Sequence, residues 1–245
     1  TTAHTLSLHD ALPISWSLRE GQRVAVFTDF NKSANALLEC ASEVAPLKSG
    51  KVEIRANVSW PLPSRGALEG VMTGRQNSKF LYAVYGTPGE EREQIARIEQ
   101  LSSFESGCFD QRMKSWDAPM KARFDVAVSL AFDFDVYMVS KRFPWTQPDK
   151  PDLQALVREA FDRQVAGKTL LLFHLDEEFM RQYCDEAIVI RDCQIVYQGA
   201  FVDAQKWFHL NVKKSAVDDE DVQDQEIDDS LIQLMEEPVE EVSLW

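Results

Sequence analysis

The stretch "VAVFTDFNKSANALL", residues 24–38, decides how this chain is read. Val24 to Phe27 is a short apolar run with β-branched residues, the pattern of a buried strand, and "SANALLECASEV" after it has the spacing of a helix that opens near Asn35. A turn from a buried strand into a helix is where backbone N–H groups can cradle a phosphate. Such a cradle uses glycines, because its backbone approaches the anion closely and visits φ > 0. Between Thr28 and Asn35 there is no glycine.

The strand and helix continue in alternation outward from this point. "SWSL" precedes "RVAVF" as a strand, and "GKVEIRANVSW" reads as a strand or hairpin entered through Ser49-Gly50. Helical segments are expected at about 73–85, 90–102 and 118–131. "DVYMVS" (135–140) and "TLLLFH" (169–174) are apolar on successive residues, as in strands covered on both faces. Between them "PDLQALVREAFDRQVA" carries a helical stripe of Leu153, Leu156, Val157, Ala160 and Phe161, so the three pieces form a parallel βαβ unit. "FMRQYC" continues as helix, and "EAIVIRDCQIVYQG" closes as a hairpin with Asp192-Cys193 at its turn.

The 245 residues, 44% of them hydrophobic and 10% aromatic, suffice for one large α/β domain. The formal charge of -14 is not spread evenly. From Ser215 to Trp245 there are twelve acids and no Lys or Arg, which leaves 28 acids against 26 bases before it. The body is therefore near neutral, without the basic stripe that nucleic-acid binding requires. The tail around "DDEDVQDQEIDD" is too charged to bury and is expected to be disordered, with "SLIQLM" and "SLW" as short apolar pieces able to dock on a partner. Its acids lack the glycine and spacing of a calcium loop.

Cys40, Cys108, Cys184 and Cys193 form no C-x-x-C pair, so neither a zinc site nor a disulfide framework is expected, and no apolar run is long enough to span a bilayer. "TTAHTLSLHDALPIS" has no charged-then-apolar signal character, and residues 1–14 are read as a non-native leader.

Taken in order, "LREGQRVAVF", "SGKVEIRANVSWPL", "MTGRQNSKFLYAVYG", "MKARFDVAVSLAFDFDVYMV", "LLLFH" and "YCDEAIVIRDCQIVYQG" resemble the ATP-binding subunits of ABC transporters. The branch that exports capsular and other surface polysaccharides is the nearest in kind, through its Ser-Trp-Pro-Leu, Thr-Gly-Arg-Glu-Asn and Phe-Asp-Val-Tyr segments. The resemblance covers about residues 15–208. It implies an α/β fold of the P-loop NTPase type, a mixed sheet flanked by helices, within a domain of residues 15–210. A small helical subdomain is implied at about 72–130, followed by the acidic tail of 215–245. It also implies ATP and Mg²⁺ as cofactors, a second ATP-binding subunit and a membrane permease as partners, and a place on the inner face of the cytoplasmic membrane without insertion.

The motifs that would hold the nucleotide are altered. A gapless overlay on the family's phosphate loop puts Thr28, Asn31 and Ser33 on its glycines, Ala34 on its Lys and Asn35 on its Ser/Thr. A shifted overlay uses Lys32 and Ser33 as the Lys-Ser pair, at the cost of a loop two residues shorter. After the "FDVYMV" strand, Ser140 stands where the family's magnesium-binding Asp would be, and Lys141 where its catalytic Glu would be. In the signature segment "WDAPMKAR", Asp117 and Ala118 replace serines and Pro119 a glycine. The segment remains a sound helix start, because Asp suits the N-cap and Pro the first turn. His174 stands at the switch position that contacts the γ-phosphate in the family. Followed by Asp176, Glu177 and Glu178, it reads either as that contact or as a structural relic. Ser64 falls near the family's sensing glutamine, and Trp16 is one strand late for the adenine-stacking aromatic. The resulting expectation is a pseudo-ATPase subunit, structural or regulatory, of a polysaccharide exporter. A weakly active ATPase subunit and a soluble scaffold are the alternatives.

Overall fold

In a computed structural model the chain is described at residues 4–6, 16–29, 31–42, 51–63, 68–145, 151–192 and 194–212. Ser49-Gly50, Ser64, Cys193 and the acidic tail lie outside the described residues.

Six strands make one mixed sheet. β3 (Arg23–Thr28), β4 (Val58–Leu62), β5 (Val136–Val139), β6 (Thr169–Leu172), β7 (Glu186–Arg191) and β8 (Gln194–Ala200) lie in the order β4-β5-β6-β3-β7-β8. All neighbours are parallel except the β7-β8 hairpin. The remaining strands, β1 (His4–Leu6) and β2 (Trp16–Leu18), form a separate antiparallel pair, so three residues of the presumed leader are engaged with the body of the chain. β5 and β6 are buried at every residue, which is why both read as unbroken apolar runs. β4 is an edge strand, where Pro61 is tolerated at an irregularity in the register.

The expected strand at "GKVEIRANVSW" is shorter than its alternating pattern suggests. Asp135 stops the ladder: its carboxylate accepts from the Asn57 N–H (2.9 Å), and its own N–H donates to the Asn57 carbonyl (2.8 Å). Pairing between β4 and β5 therefore begins only at Val58↔Val136.

Helices cover the sheet. α1 (Asn31–Ala41) follows β3, α5 (Pro151–Val165) joins β5 to β6, α6 (Glu177–Tyr183) joins β6 to β7, and α7 (Phe201–Asn211) follows β8. α2 (Gly74–Tyr85), α3 (Glu91–Ser102) and α4 (Ala118–Ser129) sit together, with two short 3₁₀ turns before α4. Leu81, Ile98, Trp116 and Phe124 from this group share one core with Phe27, Val139 and Leu172 of the sheet. A second core on the other side joins Val24, Val26, Leu171 and Ile188 to Ala34, Leu37 and Leu38 of α1.

The segment Thr73-Gly74-Arg75-Gln76-Asn77 starts α2, and each residue has a local reason to be there. Thr73 and Gln76 exchange side-chain and backbone bonds in a capping box. Gly74 packs against Trp116 and Phe109, Arg75 bridges Glu99 and Asp110, and Asn77 holds both backbone groups of Glu69.

Candidate functional site

The strand order brings the ends of β5, β6 and β3 side by side, so Ser140, His174 and Thr28 fall on one edge of the sheet. This is the edge where ligands bind in open α/β folds. What the edge can do depends on the turn after β3.

That turn is short. β3 ends at Thr28 and α1 begins at Asn31, so only Asp29 and Phe30 join them. The helix does not open near Asn35, as expected from the sequence, but four residues earlier. Asn31, Lys32, Ser33, Ala34 and Asn35 are all helical, and Lys32 and Ser33 lie in the first turn. Ala34 is 0% exposed and packs among Leu37, Leu38 and the sheet residues of the second core. Position 34 therefore faces the interior, away from any ligand on this edge.

Asp29, which the sequence reading passed over, is a carboxylate placed in this turn. Its Oδ2 lies 3.6 Å from Arg191 Nε at the end of β7. Its Oδ1 is buried with no hydrogen-bond partner among the described residues. An anion approaching the turn meets a negative charge already there.

Ser140 is buried at the end of β5, and both its hydroxyl (3.0 Å) and its N–H (2.9 Å) donate to the carbonyl of Leu62. Its hydroxyl proton is thus directed into the protein across the β4-β5 edge. Lys141 follows, half-buried, in the turn that leads to Phe143.

His174 has both ring nitrogens engaged. Nδ1 accepts from the Asp176 N–H (2.9 Å), which makes Nε2 the protonated nitrogen, donating to the Phe143 carbonyl (3.0 Å). The ring also meets Phe179 edge-on, with centroids 5.0 Å apart. Burial pushes the imidazole below its ordinary pKa, against the opposing pull of the Phe143 carbonyl and the Asp176 charge. Asp176 in turn caps α6, accepting from the N–H groups of Glu178 and Phe179.

Asp117, Ala118 and Pro119 are not on the sheet edge. Asp117 is the N-cap of α4, its Oδ1 accepting from the Met120 N–H at 2.7 Å, and Ala118 and Pro119 form the exposed first turn. Trp16 is buried in β2. Among the described residues, no group of three or more His, Cys, Asp or Glu side chains is arranged to hold a metal ion, and no helix is long and apolar enough to cross a membrane.

The arrangement of strands and helices matches solved structures. One described as the ATP-binding subunit of an ABC transporter superposes with a TM-score of 0.68 at 15% identity, covering 87% of this chain and 95% of that one. The fold is that of an ABC ATPase domain. The ATP-binding cassette MJ0796, in a dimeric post-hydrolysis state bound to ADP and Pi, shares this ABC ATPase fold at TM-score 0.62 and 11% identity, covering 82% of this chain and 99% of that one. Curated sequence relatives carry the resemblance further. The capsule polysaccharide export ATP-binding protein CtrD of Neisseria meningitidis is 27% identical over 75% of this chain and 81% of its own. The ATP-binding protein BexA of Haemophilus influenzae is 26% identical, covering 73% and 80%. The polysialic acid transport ATP-binding protein KpsT of Escherichia coli is 24% identical, covering 81% and 84%. No family model matches the chain.

Proposed function

We propose that this chain is an ATP-binding-type subunit of an ABC exporter of capsular or other surface polysaccharide that has lost nucleotide turnover. In this reading it is a pseudo-ATPase with a structural or regulatory role beside a permease or an active ATPase subunit. The polysaccharide part rests on the CtrD, BexA and KpsT relatives, and the loss of turnover rests above all on the two-residue link from β3 to α1. Two residues span about 7 Å when fully extended, too little to arch around a triphosphate.

The side chains do not fit ATP with magnesium. Ala34 is in the core, Asp29 sets a negative charge in the turn, Ser140 spends its hydroxyl on Leu62, and His174 spends both nitrogens on the protein. The helix N-terminus at Asp117 likewise has its own carboxylate as cap. A permease partner is supported by exposed apolar residues on and before α2, Phe80 (46% exposed), Val84 (57%) and Val71 (65%). Through that partner the subunit would sit at the inner face of the cytoplasmic membrane.

One observation favours a second reading. Because α1 starts at Asn31, Lys32 and Ser33 fall in its first turn, the place that the Lys-Ser pair of a phosphate loop occupies. A weakly active ATPase would use that pair. Purified full-length protein incubated with labelled Mg·ATP separates the two: the pseudo-ATPase neither retains nor hydrolyses it. Turnover abolished by Lys32→Ala establishes the weak ATPase instead. Recovery of a permease with the protein from detergent-solubilised membranes tests the transporter assignment, and its absence favours a free scaffold.

A further inference from the structure

We propose that His174 is a proton-sensitive latch, holding the loop after β5 to the turn into α6 only while its imidazole is neutral. The two contacts belong to segments far apart in sequence: Phe143 offers a carbonyl from the β5 side, and Asp176 offers an N–H from the turn before α6. Only the neutral ring with its proton on Nε2 satisfies both. A second proton turns Nδ1 into a donor facing the donor N–H of Asp176. That bond is then lost, and the turn has to open to relieve the opposition.

The surroundings make this a two-state device. The ring stands edge-on to Phe179, which stacks on Phe143 and Trp145 in an aromatic cluster with Phe161 and Tyr183, so there is little room for it to reorient in place. Leu175, between the ring and Asp176, is 55% exposed, so solvent lies on the outer side of the turn.

Charged residues in the flanking segments are Lys141 and Arg142 in the turn after β5, Asp176 in the turn itself, and Glu177 and Glu178 at the start of α6, while α5 brings Arg158 over the Trp145 ring and Asp162 to the Tyr183 hydroxyl at the aromatic cluster. Asp176 is the charge that bears on the imidazole, and it favours protonation; burial outweighs it. The native pKa therefore lies below the unfolded value of about 6.5. The latch's contribution is fully present above that value and is lost as pH falls through the depressed native one.

The test is an NMR titration of the full chain labelled on histidine, with hydrogen exchange followed at the Asp176 amide. At neutral pH the ring should show the Nε2–H tautomer and should titrate below the ordinary histidine value. As it does so, Asp176 exchange should speed up by about tenfold or more beyond the intrinsic pH effect while amides of β3 and β6 stay protected. In His174→Gln that pH-linked step should vanish; if this variant does not fold, the wild-type titration decides alone. The Nδ1–H tautomer, titration at or above the ordinary value, unchanged Asp176 protection, or loss of protection at β3 and β6 together with Asp176 would each overturn the latch.

Discussion

The hydroxyl of Ser140 donates to the carbonyl of Leu62 at 3.0 Å and so ties the end of β5 to the end of its edge neighbour β4. Ser140→Ala removes this bond without adding a charge and should cost about 1 kcal/mol. Ser140→Asp sets a carboxylate against a carbonyl oxygen in a buried position and should cost about 3 kcal/mol. Urea unfolding midpoints measure both. If added magnesium restores the Asp variant, the site is a metal site after all.

Ala34→Lys supplies the residue type that the resemblance implies for a phosphate loop at this position, but into the interior. With only apolar side chains around Ala34 among the described residues of the second core, the expected loss is on the order of 3–5 kcal/mol, with no gain in ATP retention. Thermal unfolding together with a nucleotide-binding assay checks it. A stable variant that binds ATP would refute the placement of α1.

Gly74→Ala should be harmful despite alanine's better helix propensity. An added Cβ would lie 2.8 Å from the Trp116 ring and 3.0 Å from the Phe109 carbonyl. Relief requires α2 to shift from the 3₁₀ turns, at about 1–3 kcal/mol. An unfolding midpoint equal to or above that of wild type would contradict this packing.

Tyr137 is buried in β5, its hydroxyl donating to the Phe132 carbonyl (3.2 Å) and accepting from Phe134 N–H (3.1 Å) and Gln164 (2.8 Å). Burial pushes its pKa up to about 12. Tyr183 is pushed up as well, by burial and its bond to Asp162, so ultraviolet difference titration should show two tyrosines fewer ionising near pH 10 in the native protein than in the unfolded one, and one fewer in Tyr137→Phe. Because the native value of Tyr137 is raised, the group favours folding at neutral pH, and this advantage is lost as pH climbs from about 10 through 12. Tyr137→Phe strands the Phe134 N–H and should cost about 1–3 kcal/mol.

What could be read in the sequence was what periodicity carries. α5 declares itself by its stripe, and β5 and β6 by apolar runs covered on both faces, while α2, α3 and α4 fall close to the segments expected as helical. The start of α1 was hidden because Asn31 and Ser33 have modest helix propensity, while Ala34, Leu37 and Leu38 pack the helix into the second core. β4 was overread because Val52, Ile54, Ala56 and Val58 alternate like a strand, while Asp135 ends the pairing at Val58. In the candidate site, Asp29 was visible in the decisive stretch, yet its partner Arg191 lies 162 positions away. Nothing in the sequence ties His174 to a backbone carbonyl at Phe143, because a carbonyl carries no residue identity.

The brevity of the link between Thr28 and Asn31 bears on how the protein can be re-engineered. Exchanging side chains alters charge and bulk but leaves the span as it is. On the pseudo-ATPase reading proposed above, building a phosphate grip here is a question of contour length, to be met by inserting several glycine-containing residues before α1. Among the described residues, the buried side chains on either side of such an insertion are Val26 and Phe27 of β3 before it and Ala34 of α1 after it, so both hydrophobic cores keep these anchors.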